Sequence, residues 1–194
     1  MKIISIRLFC LFILLIFSIK NQAQSNIVYN SGFEQIKGSN GTNVLQLDAA
    51  LFWEQMNSAD VYIKKVLGDI PHGNIARLAT YFNEVMIGSL KRNLMKGERI
   101  TFKFDLYSEK SKQYNNNFSL LFCEYQCDSV SSIPIPIKKI KKGWQTISVE
   151  MIVSNTTDTF CFIGSSKNIE DTFFLDNMEI IAEDVYHNDS TTDF

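Results

Sequence analysis

The chain has 194 residues, with 19 basic against 21 acidic side chains and two histidines. That slightly acidic balance excludes a nonspecific nucleic-acid binder, which needs a surplus of positive charge to displace counterions. The length suits one domain, whose class is set by patterning rather than by charge.

Residues 1–23 read as a signal peptide. Lys2 and Arg7 give a basic start, and Leu8 to Ile19 is a nearly unbroken apolar run, short for a membrane span. Ala23 offers a small residue for cleavage, which places the mature start at Gln24. The rival reading is an uncleaved N-terminal anchor. Cys10 lies inside the apolar run with no small residues before it, which argues against a lipoprotein cysteine. Loss of Lys2, Arg7 and Lys20 leaves 16 basic against 21 acidic residues, a net of −5. The expected location is secreted, periplasmic or at the cell surface, with no membrane span after signal removal.

Residues 24–182 carry the strand signals. Asp48 to Gln55 is the one stretch that suits a short helix. Asn74 to Phe82 and Met86 to Leu90 read as strands, with a turn over Asn93 to Gly97. Ile100, Phe102, Phe104 and Leu106 alternate with Thr101, Lys103, Asp105 and Tyr107, a period of two that buries one face. Phe118, Leu120 and Phe122 repeat the pattern after Asn115–Asn117. Lys138, Lys139, Lys141 and Lys142 form the one basic cluster, a solvated turn or, alternatively, a polyanion contact. Ile147, Val149 and Met151 alternate after Gly143-Trp144. Phe160 to Ile163 is a short apolar run, and a last strand runs from about Thr172 to Ile181. Residues 183–194 read as a flexible polar tail. Many short strands with turns every ten or so residues predict an all-β, two-sheet antiparallel β-sandwich.

Two short motifs frame this domain. Asn26-Ile-Val-Tyr-Asn30-Ser-Gly-Phe-Glu34 opens it and Phe173-Phe-Leu-Asp176-Asn-Met-Glu-Ile180 closes it. Between them stand Trp53, Ser58-Ala-Asp60-Val-Tyr62, Gly88 to Gly97 and Gly143-Trp144. In this order the motifs resemble the jelly-roll, galactose-binding-domain-like carbohydrate-binding module family. The closing motif departs from the family's frequent pair of aspartates, because it has Asp176-Asn177. The resemblance implies a jelly roll with its first strand near Asn26–Glu34. It also implies a structural calcium ion joining the two motifs through Glu34 and Asp176 with nearby carbonyls, a hard-oxygen set of the kind calcium takes. The alternative is that both carboxylates only satisfy turn amides or are solvated.

Sugar sites set an aromatic face against a pyranose ring and fix its hydroxyls with polar groups. Tyr62, Tyr81 and Tyr107 are the expected ligand-binding residues, because tyrosine has a polar end to present. Trp53 and Trp144 are expected inside. Cys123, Cys127 and Cys161 remain after processing; export permits a disulfide, and the sequence does not choose the pair. His72 and His187 have no zinc-ligand spacing. The chain has no nucleophile elbow, no H-E-x-x-H and no phosphate loop. Glu54, Asp60, Glu84 and Asp105 could supply a glycosidase carboxylate pair, but no spacing selects two of them. The expectation is a non-catalytic exported module that binds a glycan. The alternative is a structural or adhesion domain that contacts a cell-surface protein; an enzyme is the third reading.

Overall fold

The computed structural model describes residues 25–38, 44–57, 59–63, 66–67, 70–71, 73–80, 83–113, 118–122, 132–164 and 172–182. The proposed signal segment, the tail, Ser58, His72, Tyr81, Phe82, Cys123, Tyr125 and Cys127 lie outside them. In chain order the strands are β1 Val44–Gln46, β2 Trp53–Met56, β3 Asp60–Tyr62, β4 Val66–Leu67, β5 Ile70–Pro71, β6 Ile75–Ala79, β7 Val85–Leu94 and β8 Arg99–Ser108. They continue with β9 Lys112–Gln113, β10 Phe118–Phe122, β11 Ile133–Pro134, β12 Lys139–Ile140, β13 Gly143–Ile152, β14 Thr157–Gly164 and β15 Thr172–Ala182. A six-stranded sheet runs β1-β3-β6-β15-β8-β13 and a five-stranded sheet runs β11-β10-β14-β7-β2. Neighbours pair antiparallel throughout, so the protein is an all-β jelly-roll sandwich. No helix of the described residues is long and apolar enough to cross a membrane.

The alternating pattern explains the layering. Side chains in a strand point to opposite faces at successive positions, so Ile100, Phe102, Phe104 and Leu106 all enter the core from β8. Phe118, Leu120 and Phe122 enter from β10, Phe160 and Phe162 from β14, and Phe173 and Leu175 from β15. Their rings meet edge-on, tilted or stacked, with Phe102–Phe162 centroids 5.8 Å apart, Phe104–Phe162 5.1 Å apart and Phe118 stacked on Phe162 at 5.5 Å. Such pairs add stability beyond their buried area.

Two expected elements differ. Asp48 to Gln55 is not an α-helix. Leu47–Ala49 makes one 3-10 turn, and β2 begins at Trp53. Phe52 takes φ 68°, where a right-handed helix cannot continue. The segment Asn26–Glu34 is not a strand either. Val28 makes a single bridge to Leu90, and the chain then turns with Asn30 at φ 45° and Phe33 at φ 57°. These left-handed positions break the extended backbone that a ladder needs. The closing strand follows expectation, running to Ala182.

Candidate functional site

The opening and closing motifs meet. Ile27 N–H donates to Ile180 O at 3.0 Å, and Met178 N–H donates to Ser31 O at 2.9 Å. Asn26 pins the last strand with its amide: Oδ1 accepts from Ile180 N–H at 3.1 Å, and Nδ2 donates to Met178 O at 3.3 Å. Asn30 holds the turn, donating to Gln35 O and Leu51 O, each at 3.0 Å. Its own carbonyl accepts the Trp53 indole N–H at 3.0 Å. Phe33 is fully buried against Trp53, with centroids 4.8 Å apart.

Gly32 lies between the Glu34 side chain and the Asp176–Asn177 pair. A Cβ there would lie 3.5 Å from Asp176 Oδ1, 3.7 Å from Asn177 Oδ1 and 3.9 Å from Glu34 Cγ. Glu34 Oε1 accepts the Asn74 N–H at 3.0 Å, and a Cβ on Gly73 would strike that oxygen. Asp176 Oδ1 accepts the Asn177 N–H at 2.7 Å, with Asn177 at φ 49° in a bulge of β15. The fold therefore gathers Glu34, Asp176 and the Asn177 amide around one glycine, while each carboxylate also serves a backbone amide. These hard oxygens are of the type calcium takes. Among the described residues, no three His, Cys, Asp or Glu side chains gather as a metal site.

Next to this clasp lies the outer face of the six-stranded sheet. Register aligns Asp60 with Arg77, Arg77 with Phe174, Phe174 with Tyr107 and Tyr107 with Trp144. Residues directly opposite one another share a face, so these five form one row across five strands. Phe174 and Tyr107 have centroids 6.3 Å apart, and Tyr107 and Trp144 5.4 Å apart. Tyr62 joins the row edge-on to Phe174 at 5.7 Å. Arg77 and Asp60 form an ion pair at 2.6 Å. A second row lies one side-chain step along the same face: Asp176 opposite Asp105, and Asp105 opposite Thr146. Thr146 Oγ1 donates to Asp105 Oδ1 at 2.6 Å, and Asn177 Nδ2 donates to Asp105 Oδ2 at 2.9 Å. The face thus carries a strip of rings, Tyr62, Tyr107 and Trp144 half-buried around a buried Phe174, beside a strip of carboxylate, amide and hydroxyl groups in which Asp176 is buried.

Tyr62 and Tyr107 are therefore brought together on one outer face, outside the main core. Trp53 is buried as expected, but Trp144 is not a core residue. It shares the parity of Thr146 and Ser148 rather than of Ile147 and Val149, and its indole N–H donates to Leu67 O at 2.9 Å. Of the four carboxylates considered for a glycosidase pair, Asp60 is held by Arg77 and Asp105 by Thr146 and Asn177. Glu54 is exposed on β2 of the other sheet. Cys161 is buried and disulfide-bonded, and the other cysteines lie outside the described residues.

Glu84, the fourth of the carboxylates weighed for a glycosidase pair, has a structural role that the sequence did not signal. It is buried, and its Oε2 accepts the Ala79 N–H at 2.5 Å. Burial pushes its carboxyl up to about 7; the Ala79 N–H and the Arg77 charge pull it down, and Asp60 pushes it up. The folded state thus holds this proton more tightly than the unfolded chain, whose value is 4.5. The stability it confers is present in full below pH 4.5 and is lost as the pH rises through about 7. Glu84→Gln should flatten that window, removing a pH-dependent change on the order of 1–3 kcal/mol. Urea unfolding of both proteins from pH 4.5 to 7.5 checks it; parallel curves would count against the assignment.

The fold has known relatives in shape. The chain superposes on an arabinose-bound GH51 α-L-arabinofuranosidase with a TM-score of 0.56 at 9% identity, over 82% of this chain and 26% of that one. It superposes on the CBM22-1–GH10 modules of Clostridium thermocellum xylanase 10B, complexed with xylohexaose, with a TM-score of 0.52 at 10% identity, over 82% and 28%. The chain thus spans about a quarter of the length of these two proteins. The CBM22-1 xylan-binding domain of Paenibacillus barcinonensis Xyn10C gives a TM-score of 0.49 at 10% identity over 82% of this chain and 97% of that one. At these identities the likeness is one of fold. No protein-family model and no curated protein matches the chain.

Proposed function

We propose that the protein is an exported, non-catalytic module that binds a glycan on the outer face of its six-stranded sheet. The observation that carries this reading is the pair of parallel rows: Phe174, Tyr107 and Trp144 with Tyr62, beside Asp176, Asp105 and Thr146. A pyranose stacks its C–H face on an aromatic ring and needs hydrogen-bond partners about one residue step away for its hydroxyls. With the Thr146 O–H given to Asp105, Asp105 and Thr146 Oγ1 both present lone pairs that accept from sugar hydroxyls, so the second row can fix hydroxyl direction. A flat apolar patch, the mark of the adhesion alternative, is not what this face presents. The fold likeness to modules of sugar-active proteins supports the same class. Export rests on the N-terminal apolar run alone.

The test is a glycan array on the mature protein, with and without a chelator, including xylohexaose and arabinose-bearing oligosaccharides from the two structural neighbours. Binding to at least one glycan family is the expected result. Silence across the array at millimolar ligand would move the reading to the adhesion domain.

Calcium belongs to the same proposal. Glu34, Asp176 and the Asn177 side-chain amide oxygen would hold it. When bound, it would neutralise the carboxylates around Gly32 and tie the first segment to the last strand. Because Asn177 also donates to Asp105, the ion would steady the polar row. Chelation should then lower the melting temperature, by mass action on the folded state, and Asp176→Ala should abolish that response. Identical melting curves with and without chelator, with no metal in the purified protein, would remove the ion.

A further inference from the structure

The four-lysine cluster takes no part in the glycan face, and it stands in an acidic chain. Lys138, Lys139, Lys141 and Lys142 are exposed, and among the described residues none of them forms an ion pair. Lys138 and Lys139 line an open groove of about 640 Å³ together with Pro136 and Ile137 on one wall. The residues Thr146 to Glu150 of β13 form the other wall.

The second wall is a sheet edge. β13 ends the six-stranded sheet and, among the described residues, pairs only with β8. In an antiparallel ladder alternate residues bond to the neighbour, and the intervening N–H and C=O groups point the other way. Five consecutive residues line the groove, so it follows the strand itself for roughly 17 Å, at about 3.4 Å per residue. The Pro136–Ile137 stretch of the opposite wall brings no free N–H to those groups. Pro136 has no N–H, and the Ile135 and Ile137 N–H groups are turned to Phe118 O and Ile135 O, each at 2.8 Å.

We infer that this groove receives an extended acidic segment of a partner protein, which adds as a strand to β13 with its carboxylates on Lys138 and Lys139. Strand addition takes its affinity from main-chain hydrogen bonds and its choice of partner from the flanking side chains. A bare edge is also a route to self-association, and lysines commonly guard such edges. Here the lysines stand across the groove from the strand rather than on it. β13 itself has neither lysine nor proline along its ten residues. Charge repels a basic strand and admits an acidic one.

The probe is a fluorescein-labelled eight-residue peptide of alternating glutamate and valine, titrated by anisotropy into the mature protein at low salt. Binding should slow amide exchange within residues 146–150. Lys138→Gln/Lys139→Gln should weaken it about fivefold or more without moving the melting temperature, since both side chains are exposed. The lysine-for-glutamate peptide should not bind, and N-methylation of the four central residues should abolish binding by removing the ladder donors. Three results would overturn the inference: no binding at about 1 mM peptide, equal binding of the N-methylated peptide, or protection of these amides by polygalacturonate but not by the peptide. The last would make the groove a polysaccharide site. The groove shares Thr146 with the polar row, so the Tyr107→Ala titration, which reads the aromatic row alone, keeps the two readings apart.

Discussion

Trp53→Ala is expected to remove about 3–5 kcal/mol from the free energy of unfolding, the range for deleting a large buried aromatic side chain. Three contacts converge on this residue. It is 1% exposed, its ring lies 4.8 Å from Phe33 and 5.7 Å from Phe160, and its indole N–H satisfies Asn30 O. Truncation would therefore leave a cavity between the sheets and strip a partner from the carbonyl that anchors the opening turn. Domains of this size have only about 5–15 kcal/mol to lose, so the variant should melt well below the parent and fray first at residues 26–36. Urea unfolding with the same slope and a lower midpoint is the predicted signature. A change below about 1 kcal/mol would show that the indole does not join the turn to the core.

Gly88→Ala should cost about 3 kcal/mol by the opposite route, overpacking. Gly88 is the register partner of Trp53 on one side and of Phe160 on the other, and those two rings meet over it edge to face. A Cβ there would fall 2.5 Å from Phe160 Cε1 and 3.0 Å from Trp53 Cζ3. Both rings are buried, so neither can swing away into solvent. In a Trp53→Ala background the Phe160 ring can shift into the space the indole leaves, and the two losses should fall clearly short of additive. Additive losses in the double variant would mean that Gly88 is strained by its backbone rather than by the rings.

Period two made the sandwich readable. Ile100 through Leu106 and Phe118 through Phe122 could be drawn from alternation, because half-buried strands carry that signal in every residue, whereas the closing strand was legible from its motif. The opening segment defeated the same reasoning. Asn30 and Phe33 take left-handed backbones, and a phenylalanine in that region gives no warning in the sequence. Its role as a clasp was visible only through the paired motifs. Tyr62 and Tyr107 could be chosen as outward-facing, but their partner Phe174 could not, since it sits in an apolar run that reads as core on both faces. Trp144 was open to a better reading, because counting back by two from Thr146 puts it outside. Arg77 with Asp60, and the buried Glu84, depend on which strands become neighbours, and strand order is not written in local pattern.

The central claim is that rings on an outer sheet face take a sugar. Calorimetric titration of an array-selected glycan into the parent and into Tyr107→Ala, each with its melting curve, tests it most directly. Tyr107 lies on the face opposite the core and between Phe174 and Trp144. Its truncation should cost binding about 1–3 kcal/mol, while the melting temperature hardly moves. Unchanged affinity with a large fall in melting temperature would contradict the account, because it would make Tyr107 a packing residue and leave the face without a platform.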